Sequence, residues 1–353
     1  MAEYRFEDIA INSTEKKKPV ESDKEHYLGL EHLDSGTFKV SRFGSEVAPI
    51  GDKLIMKKGD VLFGKRRAYQ KKVAIAPFDG IFSAHGMVLR PKEDVIDKNF
   101  FPLFIASDYF LDAAIKISVG SLSPTINWRD LKELKFNLPE LDEQKKLAEI
   151  LWQIVATMES YKKLLTKTDE MIKAKFVEMF GTIDNSLFGT TKWKNVLQVK
   201  NGKDTKDRYD NGIYPIYGSG GIMGRTNEYL CPENSIIIGR KGTIDKPILI
   251  KEKYWNVDTA FGLIPNDKIN YIYLYSFCLQ FDFIRISKSA VLPSLTKTDL
   301  ENIDIPIPPI ELQNQFADFF NKSEESKASI QASLDSLSAV YKKIIAENLG
   351  GSN

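Results

Sequence analysis

The chain repeats itself at long range, and the repeat constrains its fold more than any other feature of the sequence. Pro124 and Gln144 recur, without a gap, as Pro293 and Gln313, 169 positions later. Both copies of this junction lead into a long segment with helical periodicity. A duplicated chain carries two equivalent surfaces, so we expect its target to come in two parts as well.

Each junction is followed by a segment that predicts one uninterrupted helix. Residues 141–180 and 310–349 contain neither Pro nor Gly, and Gly181 and Gly350 follow as stop signals. Apolar residues recur at spacings of four and three, in the same phase in both segments, which is a heptad pattern. Each helix would be about 60 Å long. Because one exposed apolar stripe of that length is unfavourable, we expect the helices to pack together. The predicted helix–helix seam comprises Leu147, Leu151, Ile154, Met158, Leu165, Ile172, Phe316, Phe320, Ile330, Leu334, Leu337 and Ile344.

The segments before the helices are rich in short β-type runs separated by Gly, Pro and Asp. The sequence therefore predicts an α+β protein in which two mixed, strand-rich domains are separated by a long antiparallel two-helix coiled coil, with an internal pseudo-twofold repeat. The expected divisions are a first domain at 1–140, a central helical region at 141–181, a second domain at 182–309, a C-terminal helical region at 310–349 and a flexible tail at 350–353.

Composition excludes several classes of protein. The chain is 42% hydrophobic and 27% charged, as in soluble globular proteins, and no apolar run approaches the length of a bilayer span. No export signal is visible, so we expect a cytoplasmic protein. Cys231 and Cys278 lack a C-x-x-C spacing, which disfavours a disulfide framework or a zinc knuckle. With 49 cations against 48 acids, a polyanion would have to be met by locally concentrated charge.

Positive charge is concentrated in one stretch of the first half. Five cations and one aromatic residue lie within eight positions, and a strand-like run that ends in Gly and two cations recurs at Arg240 and Lys241. A solvated hairpin is the alternative interpretation of the first cluster. The second copy favours contact with phosphate or guanine. The first cluster consists of Lys65, Arg66, Arg67, Tyr69, Lys71 and Lys72.

Polar loops precede both long helices. Ser121 and Ser123 lie before the first helix, and Ser289 and Ser294 lie before the second. Such residues cap helices and form turns in most proteins, but they can also donate hydrogen bonds to DNA. The sequence leaves both roles open.

A glycine-rich loop in the second half has spacings that suggest a phosphate cradle. Its candidate contacts are Tyr217, Ser219 and Arg225. Met223 occupies the position of the last glycine in G-x-G-x-x-G, so a turn-rich loop beside a strand is the better interpretation.

The sequence lacks a self-sufficient active site. Residues 59–65 match G-x-x-x-x-G-K, but Arg66 follows where Ser or Thr should hold magnesium, and the intervening residues are strand-like, so ATP binding is disfavoured. The Asp-Pro-Pro-Tyr and Asn-Pro-Pro-Phe motifs of adenine methyltransferases do not occur. The three histidines are too separated from other ligands to favour a metal site. We therefore predict no catalytic residue and no metal ligand.

Four further motifs stand beside the repeat: Tyr-Leu-Gly-Leu-Glu-His-Leu at 27–33, Tyr-Gly-Ser-Gly-Gly-Ile-Met-Gly at 217–224, Ile-Gly-Arg-Lys-Gly-Thr at 238–243 and Ile-Pro-Ile-Pro-Pro-Ile-Glu-Leu-Gln at 305–313. With these motifs, the halves, junctions and helices resemble the DNA specificity subunit of Type I restriction-modification systems. The likeness covers nearly the whole chain. Two departures are a first junction with the single proline Pro139, and Asp245 in place of a glycine that is common after Gly-Thr-Ile. The second departure lies in a loop that the resemblance places beside DNA.

The resemblance implies a non-catalytic subunit whose two target recognition domains each read one half of a bipartite site in double-stranded DNA. It adds Thr243 to the DNA-binding candidates. The helices would set the spacer between the half-sites and dock two modification (methyltransferase) subunits. Those partners use S-adenosylmethionine, and the restriction (motor-nuclease) subunits use ATP and Mg, whereas this chain needs no cofactor.

Two other interpretations stay open at this point. One is a specificity chain of a related system in which methylation and cleavage are fused in another polypeptide. The other is a coiled-coil adaptor whose end domains bind proteins. Affinity for duplex DNA that falls steeply with salt would favour the two DNA-reading interpretations over the adaptor.

Overall fold

The chain divides into two compact units, and each contains a domain and parts of both long helices. The computed structural model describes residues 1–205, 208–287 and 293–349. Unit 1 comprises Met1–Lys162 and Ala332–Asn353, and unit 2 comprises Lys163–Gln331. Both units contain helices and strands, in agreement with the predicted α+β class. The predicted tail at 350–353 lies outside the described residues.

The elements of unit 1 are short up to the first long helix. Its strands are β1 (Ala2–Arg5), β2 (Ala10–Ser13), β3 (Lys16–Lys17), β4 (Tyr27–Leu28), β5 (Lys53–Met56), β6 (Val61–Phe63), β7 (Val73–Ile75), β8 (Gly80–Phe82), β9 (Met87–Pro91) and β10 (Lys135–Leu138). Its helices are α1 (Phe6–Ile9), α2 (Phe100–Ala106), α3 (Asp108–Lys116), α4 (Trp128–Leu131), the first part of α5 (Leu141–Phe180) and the last part of α8 (Ile310–Leu349).

The central sheet of unit 1 has the order β2-β9-β6-β7, and all its pairs are antiparallel. All three residues of β6 are buried because the strand lies inside the sheet and is covered on both faces. A second sheet has the order β3-β5-β8-β4, in which β4 runs parallel to β8. Because β7 comes last in the order of the central sheet, it is an edge strand of that sheet.

Phenylalanines fill the core of unit 1. The Phe6 and Phe110 ring centroids lie 5.0 Å apart, and Phe104 meets Phe136 edge to face at 5.2 Å. Such pairs add to the hydrophobic stabilisation that burial already provides. Because β1 pairs with β10, this core holds the start of the chain beside the strand that leads into α5.

Unit 2 contains the end of α5 and a second set of short elements. Its strands are β11 (Thr190–Lys192), β12 (Leu197–Asn201), β13 (Tyr214–Gly218), β14 (Gly221–Thr226), β15 (Ser235–Gly239), β16 (Ile248–Ile250), β17 (Trp255–Asn256), β18 (Ala260–Pro265) and β19 (Asp304–Pro306). Its helices are α6 (Tyr271–Gln280), α7 (Lys297–Glu301) and the first part of α8 (Ile310–Leu349).

The sheets of unit 2 follow the same plan as those of unit 1. The central sheet has the order β12-β18-β15-β16, with the fully buried β15 in the interior and β16 at the edge. The second sheet has the order β14-β13-β17, in which β13 runs parallel to β17. The core is again aromatic: the ring centroid of Trp193 lies 6.3 Å from that of Phe277 and 6.2 Å from that of Phe283.

The long helices are antiparallel within unit 2. The ring centroids of Phe176 on α5 and Phe316 on α8 lie 5.5 Å apart, and Lys327 of α8 donates a 2.6 Å hydrogen bond to Asp169 of α5. As the residue number falls along α5, the number of its partner on α8 rises. In unit 1 the beginning of α5 and the end of α8 also share one buried cluster, to which Leu147, Ile345 and Leu349 belong.

Every predicted seam side chain is at least partly buried. At the helix ends the buried position moves by one residue: Phe176 is buried rather than Lys175, and Ile345 is more buried than Ile344. A straight helix drifts from a strict heptad by this kind of step, and at the ends the helices pack against domain cores. The buried members are Leu147, Leu151, Ile172, Phe316, Phe320 and Leu334, and the half-buried members are Ile154, Met158, Leu165, Ile330, Leu337 and Ile344.

Candidate nucleic-acid interface

In unit 1, the repeated junction and the cationic strand end are joined through the backbone. Arg66, just after β6, forms an isolated β-bridge with Thr125. The Ile126 N–H donates to the Lys65 carbonyl at 2.9 Å. Two features that lie about sixty residues apart in sequence therefore form one surface. We call it the unit 1 junction site: Lys65, Arg66, Arg67, Ser121, Ser123 and Thr125.

The side chain of Arg66 is exposed and is oriented by two neighbours. Its Nε donates to Ser123 Oγ at 3.2 Å, and its Nη1 lies 3.5 Å from His85 Nε2. Its backbone N–H also donates to the His85 carbonyl. With Nε engaged by the protein, the outer edge of the guanidinium keeps the paired donors that match a guanine edge. No sequence motif pointed to His85 at this position.

Arg67 adopts a backbone conformation that costs energy. Its φ is +54°, in the left-handed region that L side chains avoid at a cost of about 1–2 kcal/mol. The side chain of Arg67 is exposed and has no hydrogen-bond or ion-pair partner among the described residues. A strained residue with an exposed cation is typical of a ligand-binding position. Tyr69, on the adjoining 3-10 turn, is 57% exposed.

Two cations of the predicted cluster, Lys71 and Lys72, have partners inside the domain. Lys71 donates to Asp108 at 2.7 Å and to Asp112 at 2.8 Å. Although burial alone would lower its pKa, these carboxylates raise the pKa of Lys71. Lys72 donates to the Leu30 carbonyl at 2.6 Å. Both ammonium groups are thus engaged inside the domain, and we leave them out of the junction site.

Lys65 is half-buried beside Arg66. Burial, together with the positive charge of Lys16, lowers the pKa of Lys65. An ammonium with this environment gains from any anion that comes within contact distance, because the protein leaves its charge uncompensated. Lys65 is therefore suited to contact a phosphate group.

The loop at 119–125 closes on itself above this surface. Val119 and Thr125 pair through two backbone hydrogen bonds, and the turn between them places Gly120 at φ +111°. Ser121 is exposed at this turn, and Leu122 beside it is 94% exposed. The turn therefore presents polar and apolar groups together, as a base edge with a methyl group requires.

Unit 2 has a corresponding arrangement after β15. Lys241 forms an isolated β-bridge with Ser294, and the Leu295 N–H donates to the Arg240 carbonyl at 3.0 Å. The Arg240 N–H donates to the Thr259 carbonyl at 2.8 Å. Both cations are exposed. We call this surface the unit 2 junction site: Ser219, Arg240, Lys241, Thr243 and Ser294.

Gly239 is what allows the parts of the unit 2 junction site to meet. A Cβ at this position would lie 2.0 Å from the Thr243 carbonyl oxygen and 3.1 Å from the Ser219 Cβ. Such an approach tolerates only a hydrogen on the α-carbon. Ser219 and Thr243, which come from different loops, are thereby held next to the two cations.

Two other candidates in unit 2 are engaged in the protein. Tyr217 is 9% exposed, and its ring lies 5.7 Å from the ring of Tyr254. Arg225 donates 2.6 Å hydrogen bonds to the carbonyls of Gly212 and Ile213. We leave both residues out of the unit 2 junction site. Ser289 lies outside the described residues.

The stretch that matches the phosphate-loop pattern does not form a loop. Val61–Phe63 are buried in β6, so these residues cannot wrap around a phosphate. Across the described parts of the chain, no group of three or more His, Cys, Asp or Glu side chains is arranged to hold a metal ion. No helix among those residues combines the length and apolar composition that a bilayer span requires.

Comparison with known proteins gives the family. The family model described as the Type I restriction modification DNA specificity domain matches residues 5–168 and 185–337. The chain belongs to this family. The family domain thus occurs twice in the chain, once in each half. Specificity subunits are the non-catalytic components of Type I restriction-modification systems, in agreement with the resemblance drawn from the sequence.

Two curated relatives are specificity subunits. The chain is 29% identical to the Type I restriction enzyme EcoDI specificity subunit of Escherichia coli over 161 residues, which cover 45% of this chain and 36% of that protein. The match thus spans about a third of the EcoDI subunit. The chain is also 25% identical, over 303 residues, to the putative Type I restriction enzyme MjaX specificity subunit of Methanocaldococcus jannaschii, covering 73% of this chain and 70% of that protein.

Two solved structures share the fold. The S subunit of a Type I restriction-modification system from M. genitalium superimposes with a TM-score of 0.63 at 16% identity, covering 100% of this chain and 96% of that one. A chain from a study of complex assembly and conformational transition of the Type I system superimposes with a TM-score of 0.58 at 18% identity, covering 98% and 97%.

Proposed function

We propose that this chain reads a bipartite site in double-stranded DNA as the specificity subunit of a Type I restriction-modification complex. The domain in each unit would read one half-site. The observation that supports this most directly is that both units join a strand ending in Gly and two cations to the junction loop that precedes the short helix α4 or α7. Cations on a common frame can fix the position of the duplex, while the differing loops select bases.

Within the unit 1 junction site, we assign different roles to the cations. Arg66 would contact a guanine, because Ser123 and His85 orient its guanidinium and its Nη2 has no hydrogen-bond partner among the described residues. Lys65 and Arg67 would contact phosphates. In unit 2, Arg240 and Lys241 would take these roles, with Ser219, Thr243 and Ser294 beside them.

The long helices would form an antiparallel coiled coil that sets the spacer between the half-sites. They would also dock two modification subunits. Apolar side chains that are about half exposed support this docking role: Ile150, Leu164 and Met171 on α5, and Val340 on α8. The three on α5 are 14 and seven residues apart, so they occupy the same heptad position.

Catalysis would reside in the partners. The modification subunits would methylate adenine with S-adenosylmethionine, and the restriction subunits would cleave DNA with ATP and Mg. The assembly would act in the cytoplasm, where the DNA of the cell lies. This chain would supply binding and geometry alone.

The test is long-read mapping of adenine methylation in cells that express this chain with its neighbouring methyltransferase. The comparison strain lacks this chain alone. We expect a methylated motif of two short blocks separated by a fixed gap, which disappears on deletion. An unchanged methylome in the presence of a stable methyltransferase complex would contradict the proposal and would support an adaptor role.

A further inference from the structure

Unit 2 contains an open groove that the junction site does not use. Its volume is about 860 Å³, and it lies between the edge strand β16, helix α6 and the parts of α5 and α8 that belong to this unit. Apolar groups dominate its lining, and Leu279 at its rim is 53% exposed. Its principal apolar lining residues are Ile172, Phe176, Tyr217, Ile248, Leu279 and Phe320.

In unit 1, the chain itself covers the corresponding edge strand. The Ile75 N–H on β7 donates to the Phe38 carbonyl at 3.0 Å. The Phe38 ring packs 4.9 Å from the ring of Trp152 on α5. The next residue, Lys39, forms an ion pair with Glu159 on the same helix. The segment around Phe38 thus contacts the sheet edge through one backbone hydrogen bond and packs one aromatic side chain against the long helix.

The corresponding sheet edge in unit 2 has free backbone groups. Because Arg240 bonds towards β18, alternation along β15 makes Ile237 and Ile248 a hydrogen-bonded pair. The N–H and C=O of Leu249 therefore point away from β15. In the part of unit 2 that the structure describes, neither group has a hydrogen-bond partner.

A buried hydroxyl in the groove also lacks a partner. Ser276 on α6 lines the groove and is 3% exposed. Its Oγ makes no hydrogen bond to any described residue. An unsatisfied buried hydroxyl is costly, so a ligand that supplies a polar atom here would gain from it.

The unpaired charges at the rim are predominantly positive. The ammonium of Lys327 lies between two carboxylates, Asp169 on α5 and Glu324 on α8. The groove lining thus holds three lysines and three acids and is neutral as a whole. Lys173, Lys251 and Glu252 are exposed and form no ion pair within the described residues. Lys173 and Lys251 can therefore each pair with an acidic side chain of an occupant.

We propose that this groove binds an extended peptide segment of a partner protein, in which a large apolar residue is followed by an acidic one. The main chain would add to β16 through Leu249, as Phe38 does to β7, and the apolar side chain would enter between β16 and α8. The acidic side chain would meet Lys173 or Lys251. This proposal stands independently of DNA reading.

The probe is a fluorescein-labelled peptide, Gly-Thr-Phe-Glu-Val-Ser, which copies residues 36–41 with Glu in place of Lys39. It is titrated with the full-length chain and followed by fluorescence anisotropy. We expect saturable binding, weakened about tenfold or more by Leu279→Lys, because that change removes apolar contact and adds charge at the rim. Leu187→Lys is the matched control: Leu187 is 66% exposed in the same unit, outside the groove, and should leave binding unchanged.

Three results would overturn the proposal. One is the absence of saturable binding up to the solubility limit of the peptide. Another is equal affinity of the wild type and the Leu279→Lys variant for the peptide, when circular dichroism shows that both proteins are folded. If the lysine variant does not fold, Leu279→Ser takes its place in this comparison. The third is self-association in sedimentation velocity that Leu279→Lys abolishes, since a second copy of the chain would then fill the groove.

Discussion

Gln144 and Gln313, 169 positions apart, make the same set of three hydrogen bonds, one glutamine in each unit. Both side chains are buried, at 1% and 0% exposure. Each fixes the first turn of a long helix to the domain that precedes it. The Nε2 of Gln144 donates to the carbonyls of Pro139 at 2.9 Å and Val95 at 3.1 Å, and its Oε1 accepts from the Asp97 N–H at 2.8 Å. The Nε2 of Gln313 donates to the carbonyls of Pro308 at 2.8 Å and Lys268 at 3.3 Å, and its Oε1 accepts from the Asn270 N–H at 2.8 Å. In both cases the proline lies five residues before the glutamine.

Replacing either glutamine by leucine should be strongly destabilising. Gln144→Leu leaves one backbone N–H and two carbonyls without partners in a buried place, so we expect the free energy of unfolding to fall by about 3 kcal/mol or more. Urea denaturation followed by circular dichroism measures this loss. Gln153→Leu, at an exposed position of the same helix, is the control and should change stability little. Equal effects of the two substitutions would show that the hydrogen bonds of Gln144 carry no special weight.

Arg66→Gln should relax recognition of the first half-site alone. The loss of a bidentate contact to guanine weakens binding by about 1–3 kcal/mol, or roughly 5- to 150-fold, in the assembled complex. Arg129→Ala, whose side chain is 85% exposed in unit 1, should bind as the wild type does. Methylome mapping of both variants gives the readout. A change confined to the second half-site would refute the role given to Arg66.

Arg67→Gly should separate stability from binding. Glycine tolerates the positive φ of this position, so the free energy of unfolding should stay unchanged or rise by up to about 1 kcal/mol. DNA affinity should fall because one phosphate contact is lost. For the same reason, the negative slope of log K against log salt should become shallower by about 1.

Lys71→Gly is the matched control for the Arg67 substitution. Lys71 has a similar φ of +48°, but its ammonium is paired with Asp108 and Asp112, so this variant should be less stable and keep its salt slope. Calorimetry and salt titrations of both variants decide the matter. A salt slope that Arg67→Gly leaves intact would remove Arg67 from the proposed interface.

Gly239→Ala should impair the second half-site. The added Cβ would clash with the Thr243 carbonyl oxygen, so the loop must move away from Arg240 and Lys241. We expect at least about a tenfold loss of affinity for cognate DNA. Gly220→Ala meets nothing within 4 Å and should bind normally. Tight binding by the Gly239 variant would mean that Thr243 need not lie beside the cations.

Sequence periodicity could predict the long helices because their signals are local. The absence of Pro and Gly from 141–180 and 310–349, followed by Gly181, agrees with helices at Leu141–Phe180 and Ile310–Leu349. The exact register at the ends could not be predicted. Phe176 and Ile345 are buried by contacts with domain cores, which depend on the tertiary structure.

The candidate site was only partly predictable, because partners distant in sequence decide which charges remain exposed. Lys71 and Lys72 looked equivalent to Lys65 and Arg66 until Asp108, Asp112 and the Leu30 carbonyl were placed beside them. His85 gave no signal of its own next to Arg66. The position of Tyr217 inside the protein likewise follows from its packing against Tyr254, which no local pattern reveals.

The segment around Phe38 makes the two halves of a duplicated chain chemically unlike. Unit 1 covers its own edge strand, whereas the groove beside β16 in unit 2 is open. Two identical copies of one partner that bind symmetrically to this chain would therefore face different neighbours. A protein that recognises the open groove would attach to one half only, and the assembly would acquire a polarity that its internal repeat does not provide.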